Sequence, residues 1–280
     1  FRLTAPHFDA SFSRKQFLLD WMYRMRMPVF LSYLTLYLVW GSTYFFIKMG
    51  VATLPPLWVV APRFLIGGFG FLLFALISGR LRNRPTTREV ATSLGLGMLL
   101  LAGGNGLVTV AEQTVDSYLA ALVVAATPLV VAIFDRFLFA KKIAFANMSG
   151  IFIGIVGVGL LVWDGRSLAG SLTPGIAIVL AGLVSWAFAT SLGHRARTPD
   201  DLIVNSGIQM AGVGIAGTIG MLVFGPSPAV IAASASIESW LAVAYLAVAG
   251  SLAFAAYTYL IRHEPAIRVV VFFAASADLM

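Results

Sequence analysis

The sequence predicts an all-α protein that crosses a membrane several times. Three observations lead to this fold class: an apolar composition, apolar runs long enough to span a bilayer, and basic residues confined to alternate connections. Of the 280 residues, 59% are hydrophobic and 11% are charged, and the mean hydropathy is +0.91. Soluble domains are roughly 45–50% apolar and about 25% charged. This chain therefore has more apolar surface than a soluble core would bury.

The apolar runs have the length of about 17–25 residues that a helix needs to cross a membrane. A ninth run begins near Ala266 and continues to Met280. The connections are short and carry Pro, Gly or charged residues, so we predict a single polytopic bundle. The eight complete runs cover residues 30–49, 57–78, 90–109, 117–134, 147–163, 174–192, 202–224 and 239–261.

Basic residues alternate from one connection to the next. The connections after the first, third, fifth and seventh runs together hold one basic residue, Arg166. Because cytoplasmic connections are enriched in Lys and Arg, the pattern predicts a cytoplasmic amino terminus. The net charge of +7 is spread over these short clusters, so no nucleic-acid partner is expected. The clusters contain Arg14, Lys15, Arg24, Arg26, Arg80, Arg82, Arg84, Arg88, Arg136, Lys141, Lys142, Arg195, Arg197, Arg262 and Arg268.

Residues 1–28 form an amino-terminal arm that precedes the first run. Its apolar side chains, which include Phe17, Trp21 and Met25, recur at helical spacing with basic residues on the other side. This pattern favours a helix lying in the membrane interface. An unstructured leader is the alternative.

Two landmarks indicate an internal duplication. Trp40 and Trp186 are 146 residues apart, and Gly103 and Gly250 are 147 apart. Because the two copies begin five runs apart, the second copy is expected to be inverted in the membrane. Inverted repeats are typical of secondary transporters, which bind substrate near the bilayer midplane. We therefore predict a first repeat over 29–163 and a second, incomplete repeat over 174–280.

Several segments resemble the EamA-type permeases of the drug/metabolite transporter superfamily. They are "VWGSTYFFIKMGV", "PPLWVVAPRFLIGG", "GGNGLVTVAEQTVDSYLAALVVAATPLVVAIF" and "GIFIGIVGVGLL", in this order along the chain. The resemblance implies ten helices in two inverted five-helix repeats, cytoplasmic termini, and export of metabolites or drugs. This sequence departs from the family in having Lys141 and Lys142 where an acidic residue is usual after the fourth helix. Its ninth run also ends short of the ten helices.

Polar and aromatic residues within the runs are the candidates for a substrate path. Asn105 follows two glycines in "LLLAGGNGLVTVAEQ", which predicts a helix that thins and bends around a cavity. Its amide either joins two helices or lines that cavity. Trp40 and Trp186 lie near the middle of their runs, whereas tryptophan usually gathers at membrane interfaces, so they either line the cavity or pack in the core. Thr43 and Tyr44 supply hydroxyl groups, with hydrogen bonding inside the helix as the alternative.

Arg63 lies about 9 Å along its run at 1.5 Å per residue, and a charge at this depth costs at least about 2.5–3.5 kcal/mol without partners. It either has a structural role, for example pairing with Glu112, or binds an anionic substrate group. Thr127 and Pro128 predict a kink, which serves as a hinge or only sets the shape of the helix. Gln209, one turn after Asn205, and Tyr257 complete the candidates. The cavity is expected between the helices formed by the first, third, fourth, sixth, seventh and eighth of the runs given above.

These observations predict a secondary, non-ATP transporter that exports small organic solutes by alternating access. The alternatives are a membrane scaffold or receptor bundle and a truncated, inactive permease. Enzymatic activity, a cofactor and a metal are not expected, because the three histidines are far apart, cysteine is absent and no P-loop motif occurs. The expected partners are a small organic solute and the lipid bilayer, and proton coupling and a homodimer are left open.

Overall fold

The computed structural model describes residues 27–82, 84–140 and 173–264, together with positions 157 and 269. Within these ranges every regular element is helical, and seven helices are long and apolar enough to cross a membrane. They are α1 Met27–Val51, α2 Pro56–Ile77, α3 Thr87–Ala111, α4 Ser117–Phe139, α5 Pro174–Gly193, α6 Leu202–Phe224 and α7 Ile237–His263.

The seven helices confirm seven of the eight complete runs, and most extend a few residues beyond the predicted bounds. Apart from positions 157 and 269, the run at 147–163 and the ninth run lie outside the described residues, as do residues 1–26 and the pair Lys141 and Lys142.

The helix starts follow from local sequence. Thr86 and Glu89 form a capping box at α3, in which each side chain bonds the other residue's backbone N–H. Thr173 and Asp201 cap α5 and α6 with side-chain oxygens. Pro56 and Pro174 occupy first-turn positions, where a missing N–H costs nothing.

The bundle has two ends, which we name by one residue at each. The Glu112 face carries the connections 52–55, 112–116 and 225–236, and the last of these includes a short helix, Pro228–Ser234. The Arg262 face carries the connections 78–86 and 194–201.

The contact between α2 and α6 is the closest in the described bundle. A Cβ placed on Gly68 would lie 2.2 Å from the backbone nitrogen of Ala211, and one on Gly214 would lie 2.5 Å from that of Leu65. Only glycine allows two helix backbones to approach so closely, as is common between membrane helices. We call this contact the α2–α6 seam.

Two of the helices contain π-helical turns, in which each turn holds an extra residue. In α1 the π-helix covers Leu36–Trp40, and in α3 it covers Met98–Gly106, including "AGGNG". Within the π-helix of α3, the carbonyl of Leu99 accepts a hydrogen bond from Ser185 Oγ of α5 at 2.8 Å. Short π-helical turns are frequent at functional sites.

Candidate functional site

A partly open cavity lies between α1, α2, α3, α4 and α5. We call it the Arg63 cavity. Six of the ten predicted site residues line it: Trp40, Thr43, Tyr44, Arg63, Asn105 and Trp186. The remaining lining residues are Ile47, Gly104, Val108, Val124, Gly182 and Leu183.

Three aromatic rings close one end of the Arg63 cavity. The ring centroids of Trp40 and Trp186 are 5.3 Å apart with an edge-to-face angle of 81°. The ring centroid of Tyr257 lies 5.2 Å from the ring centroid of each tryptophan. Its hydroxyl is 2.6 Å from Thr190 Oγ1, whose own hydrogen bond goes to the Trp186 carbonyl at 2.8 Å. The two tryptophans that mark the predicted repeat therefore touch each other, and a buried hydrogen bond holds the third ring beside them.

A second, smaller chamber lies beyond Tyr257, toward the Arg262 face. We call it the Gln209 chamber, after a predicted site residue that lines it together with Tyr257. Its amides are bonded to each other and to a hydroxyl: Asn205 Oδ1 accepts from Ser93 Oγ at 2.8 Å and from Gln209 Nε2 at 3.1 Å. Eight of the ten predicted candidates are thus divided between two chambers.

Thr127 and Pro128 line neither chamber. They begin the second part of α4, Thr127–Phe139, after a two-residue turn that follows Ser117–Val124. Thr127 Oγ1 donates to the Val124 carbonyl at 2.5 Å, so its hydroxyl is used inside the helix. The pair marks the break in α4 that the proline predicts.

Two buried ionisable side chains, Arg63 and Glu112, lie near each other without forming an ion pair. Arg63 is 4% exposed and Glu112 is fully buried. Each acts on the other electrostatically. Yet Arg63 Nε, Arg63 Nη1 and both Glu112 carboxylate oxygens find no hydrogen-bond partner among the described residues. The pairing of Arg63 with Glu112, given above as one example of a structural role, is therefore not made at hydrogen-bonding distance.

Lys48 is bonded where Arg63 is not. Its Nζ donates to the carbonyls of Glu112 at 2.8 Å and Val115 at 2.9 Å and lies 3.9 Å from the Asp116 carboxylate. These contacts tie α1 to the connection between α3 and α4. Lys48 therefore has a structural explanation at the Glu112 face.

Asn105 presents an unused acceptor to the Arg63 cavity. Its Oδ1 is buried and has no hydrogen-bond partner in the described part of the chain. The hydroxyl of Thr43, by contrast, donates to the Trp40 carbonyl at 2.7 Å, as the helix-bonding alternative expects.

The Arg262 face is closed by contacts between the ends of helices. Arg262 Nη2 donates to Thr198 Oγ1 at 2.9 Å, and its guanidinium also bonds the carbonyls of Pro199 and Asp200. The carboxylate of Asp201 accepts a hydrogen bond from Arg80 Nη1 at 3.0 Å.

Asp201 also accepts bonds from backbone N–H groups at the start of α6. Burial raises the pKa of Asp201, but the hydrogen bonds from Val204, Arg80 and Ile203 outweigh it and hold that pKa below its ordinary value.

Sequence reasoning missed the apolar part of the cavity wall. Ile47, Val108 and Leu183 stand in apolar runs, where nothing in the sequence marks the side that faces a cavity. It also omitted α2 from the lining helices, although α2 supplies Arg63. Two glycines pack that helix closely against its neighbours: Gly67 lies against Met210 and Ser251, and Gly68 lies against Ala211.

Comparison with known proteins agrees with this architecture. The profile of the EamA-like transporter family matches residues 27–163. The chain is 39% identical over 243 residues to the uncharacterized inner membrane transporter YedA of Escherichia coli K12, covering 86% of this chain and 76% of that protein. It is 28% identical over 153 residues to a probable amino-acid metabolite efflux pump of Salmonella typhimurium, covering 53% of this chain and 48% of that protein.

A solved crystal structure has the same fold. It superposes with a TM-score of 0.67 at 22% identity and covers 91% of this chain and 86% of that chain.

The fold and these relatives define a multi-pass membrane transporter. The chain belongs to the EamA-like transporter family, within the EamA-type permeases of the drug/metabolite transporter superfamily.

Proposed function

We propose that the protein is a secondary transporter that exports small organic solutes by alternating access. The observation that carries this proposal is the pair of chambers separated by the rings of Trp40, Trp186 and Tyr257. A solute in the Arg63 cavity is separated from the Gln209 chamber by little more than these side chains. Rearranging the three rings would therefore expose a bound solute to the other face.

An inverted repeat of about 146 residues is supported by the α2–α6 seam. Gly68 contacts Ala211, and Gly214 contacts Leu65. Adding 146 to 68 gives 214, and adding 146 to 65 gives 211. The two contacts therefore exchange when the halves are exchanged, which is the behaviour expected on a pseudo-twofold axis.

The wider packing supports the same repeat. Exchanging α1 with α5, α2 with α6 and α3 with α7 converts the α1–α7 contact into the α3–α5 contact. It also converts the α3–α6 contact into the α2–α7 contact. A fold with two inverted halves around a central site is the arrangement on which alternating access depends in secondary transporters.

We place the Arg262 face and the amino terminus in the cytoplasm. The connections at this face contain Arg80, Arg82, Arg195 and Arg197. The basic bias agrees with the orientation rule, and the E. coli relative is named as an inner membrane protein. The Salmonella relative's name makes amino-acid metabolites the first solutes to examine.

The test is metabolite profiling of the medium of cells that express the protein. Three forms are compared at equal membrane abundance: wild type, Trp40→Ala with Trp186→Ala, and Trp58→Ala with Trp240→Ala. The last pair is a matched control, because Trp58 and Trp240 also contact edge-to-face, at 6.4 Å, but line neither chamber.

We expect at least one solute to accumulate outside cells that express wild type or the control pair. Export by the double variant of Trp40 and Trp186 should be lower than that of wild type by about tenfold or more. The reason is that losing aromatic contacts to a solute costs at least about 1.4 kcal/mol of binding free energy. Equal export by that double variant and wild type would reject the ring layer as the site. A medium unchanged by wild-type expression would reject export.

A further inference from the structure

Arg63 carries a charge that the described protein does not satisfy. Its guanidinium lines the Arg63 cavity, and the side chain is 4% exposed. The Phe64 ring lies 4.4 Å from the guanidinium carbon, while Nε and Nη1 find no acceptor among the described residues. An arginine does not lose its proton in a protein, so this charge remains.

A purely structural role does not account for these open donors. Leaving a buried donor without an acceptor costs about 1–3 kcal/mol, and more for a charged group. Lys48 shows how the same bundle satisfies a structural cation, with two carbonyls within 2.9 Å. The Arg63 side chain instead directs its cation at an open cavity.

The rest of the cavity wall fits an amphipathic molecule. Trp40 and Trp186 supply aromatic surface, and Asn105 Oδ1 supplies a free acceptor for a donor on the same molecule. The Arg63 guanidinium is the cationic group of the wall. A planar guanidinium binds a carboxylate through two parallel hydrogen bonds, which fixes orientation as well as charge.

We propose that Arg63 binds the carboxylate of an amphipathic solute whose apolar part packs against Trp40 and Trp186. This assignment rests on the proposed function for the arrival of a solute, and it names the chemical group that the site recognises.

The experiment compares phenylacetate with phenylacetamide, its neutral amide of nearly the same size. Binding to the purified full chain in detergent is followed as a ligand-dependent rise in the unfolding temperature, read from tryptophan fluorescence. We expect phenylacetate to bind about tenfold or more tightly, because hydrogen bonds to a charged group contribute about 1.5–3 kcal/mol. Equal binding of the two compounds overturns the proposal. So does the absence of stabilisation by phenylacetate at about 10 mM, where a millimolar site would respond by mass action.

Three variants locate the preference. Arg63→Gln should bind phenylacetate no better than phenylacetamide. If this variant does not fold, Arg63→Gln with Glu112→Gln replaces both buried ionisable groups and should give the same result. Lys48→Gln is the matched control, since it removes a neighbouring cation that already has partners.

Lys48→Gln should keep the carboxylate preference. Loss of the preference in Lys48→Gln, or its survival in either Arg63 variant, contradicts the assignment. Where a variant does not fold, the ratio of the affinities of the unmodified protein for phenylacetate and phenylacetamide decides whether the carboxylate is recognised.

This test is independent of transport. Preferential binding of phenylacetate without export of any solute would retain the carboxylate site and reject the proposed function. Export of solutes by a protein that does not distinguish the acid from the amide would do the reverse.

Discussion

The α2–α6 seam and the junctions beside it behave differently when the two proposed halves are exchanged. In the seam the contact of Gly68 with Ala211 has its counterpart in the contact of Gly214 with Leu65. At the junctions the counterparts differ. A Cβ on Gly104 would lie 2.7 Å from the Trp186 ring, whereas one on Gly250, 146 residues later, would meet nothing within 4 Å.

This difference separates a fixed part from a moving part under the proposed mechanism. A contact that maps onto itself can persist when the two halves exchange conformations. A contact present in one half and missing in the other must be broken and remade. We therefore expect the seam to remain packed during transport, while the junctions of α3 with α5 and of α1 with α7 exchange their environments.

The largest effect is expected from a side chain in the seam. Gly68→Val places methyl groups where the Ala211 backbone lies, so the helices must separate. We expect a loss of about 3 kcal/mol or more in the free energy of unfolding, seen as little folded protein or a much lower unfolding temperature in detergent. Gly70→Val is the control, because a Cβ there meets nothing within 4 Å. If both variants are equally stable, the seam is not a packed axis.

A smaller effect, on conformation, is expected at the junctions. Gly104→Ala crowds the Trp186 ring and should disfavour the described conformation by about 1–2 kcal/mol, whereas Gly250→Ala fits it. The reporter is Ala189→Cys, a fully buried position that lines the Gln209 chamber, in a chain without other cysteines. Gly104→Ala should raise the rate of maleimide labelling roughly fivefold or more, and Gly250→Ala should not. The same labelling rate in both variants would mean that the two junctions do not alternate.

The smallest effect is expected from the ion pair that ties one end of the seam. Asp201→Asn keeps an N-cap residue at α6 but removes the charge that faces Arg80. Because the pKa of Asp201 is lowered in the folded protein, its charge stabilises the fold above the unfolded pKa. This contribution is lost as the pH falls through the folded pKa.

Wild type should exceed Asp201→Asn in stability at neutral pH by less than about 1 kcal/mol. In unfolding measured across pH, the difference should begin to shrink near pH 4, the ordinary pKa of Asp, and should vanish only below the lowered pKa of Asp201 in the folded protein. An unchanged difference at low pH would show that the charge of Asp201 does not contribute.

Hydropathy predicted the helices well, because the bilayer itself sets how long an apolar segment must be. The same constraint made single polar or aromatic residues visible within the runs. Trp40, Trp186, Arg63 and Asn105 were therefore found, and the structure brings them to one cavity.

What the sequence did not reveal depends on which side of a helix meets which neighbour. Gln209 and Tyr257 carry the same kind of signal as Asn105, yet they lie in the second chamber, because close packing at Gly97 sets α6 against α3 there. Glu112 follows the last residue of α3 and is nevertheless fully buried. Such placements are decided by glycine contacts between helices that are distant in sequence.

The π-helical turns in α1 and α3 adjoin the residues that face the cavity, ending at Trp40 and enclosing Asn105. A π-helical turn can shift along its helix by one residue when one backbone hydrogen bond is exchanged for the neighbouring one. Each step swings the side chain it passes by about 100°, the rotation per residue of a helix with 3.6 residues per turn. The indole and the amide can thereby change the direction in which they point while the surrounding rods stay in place.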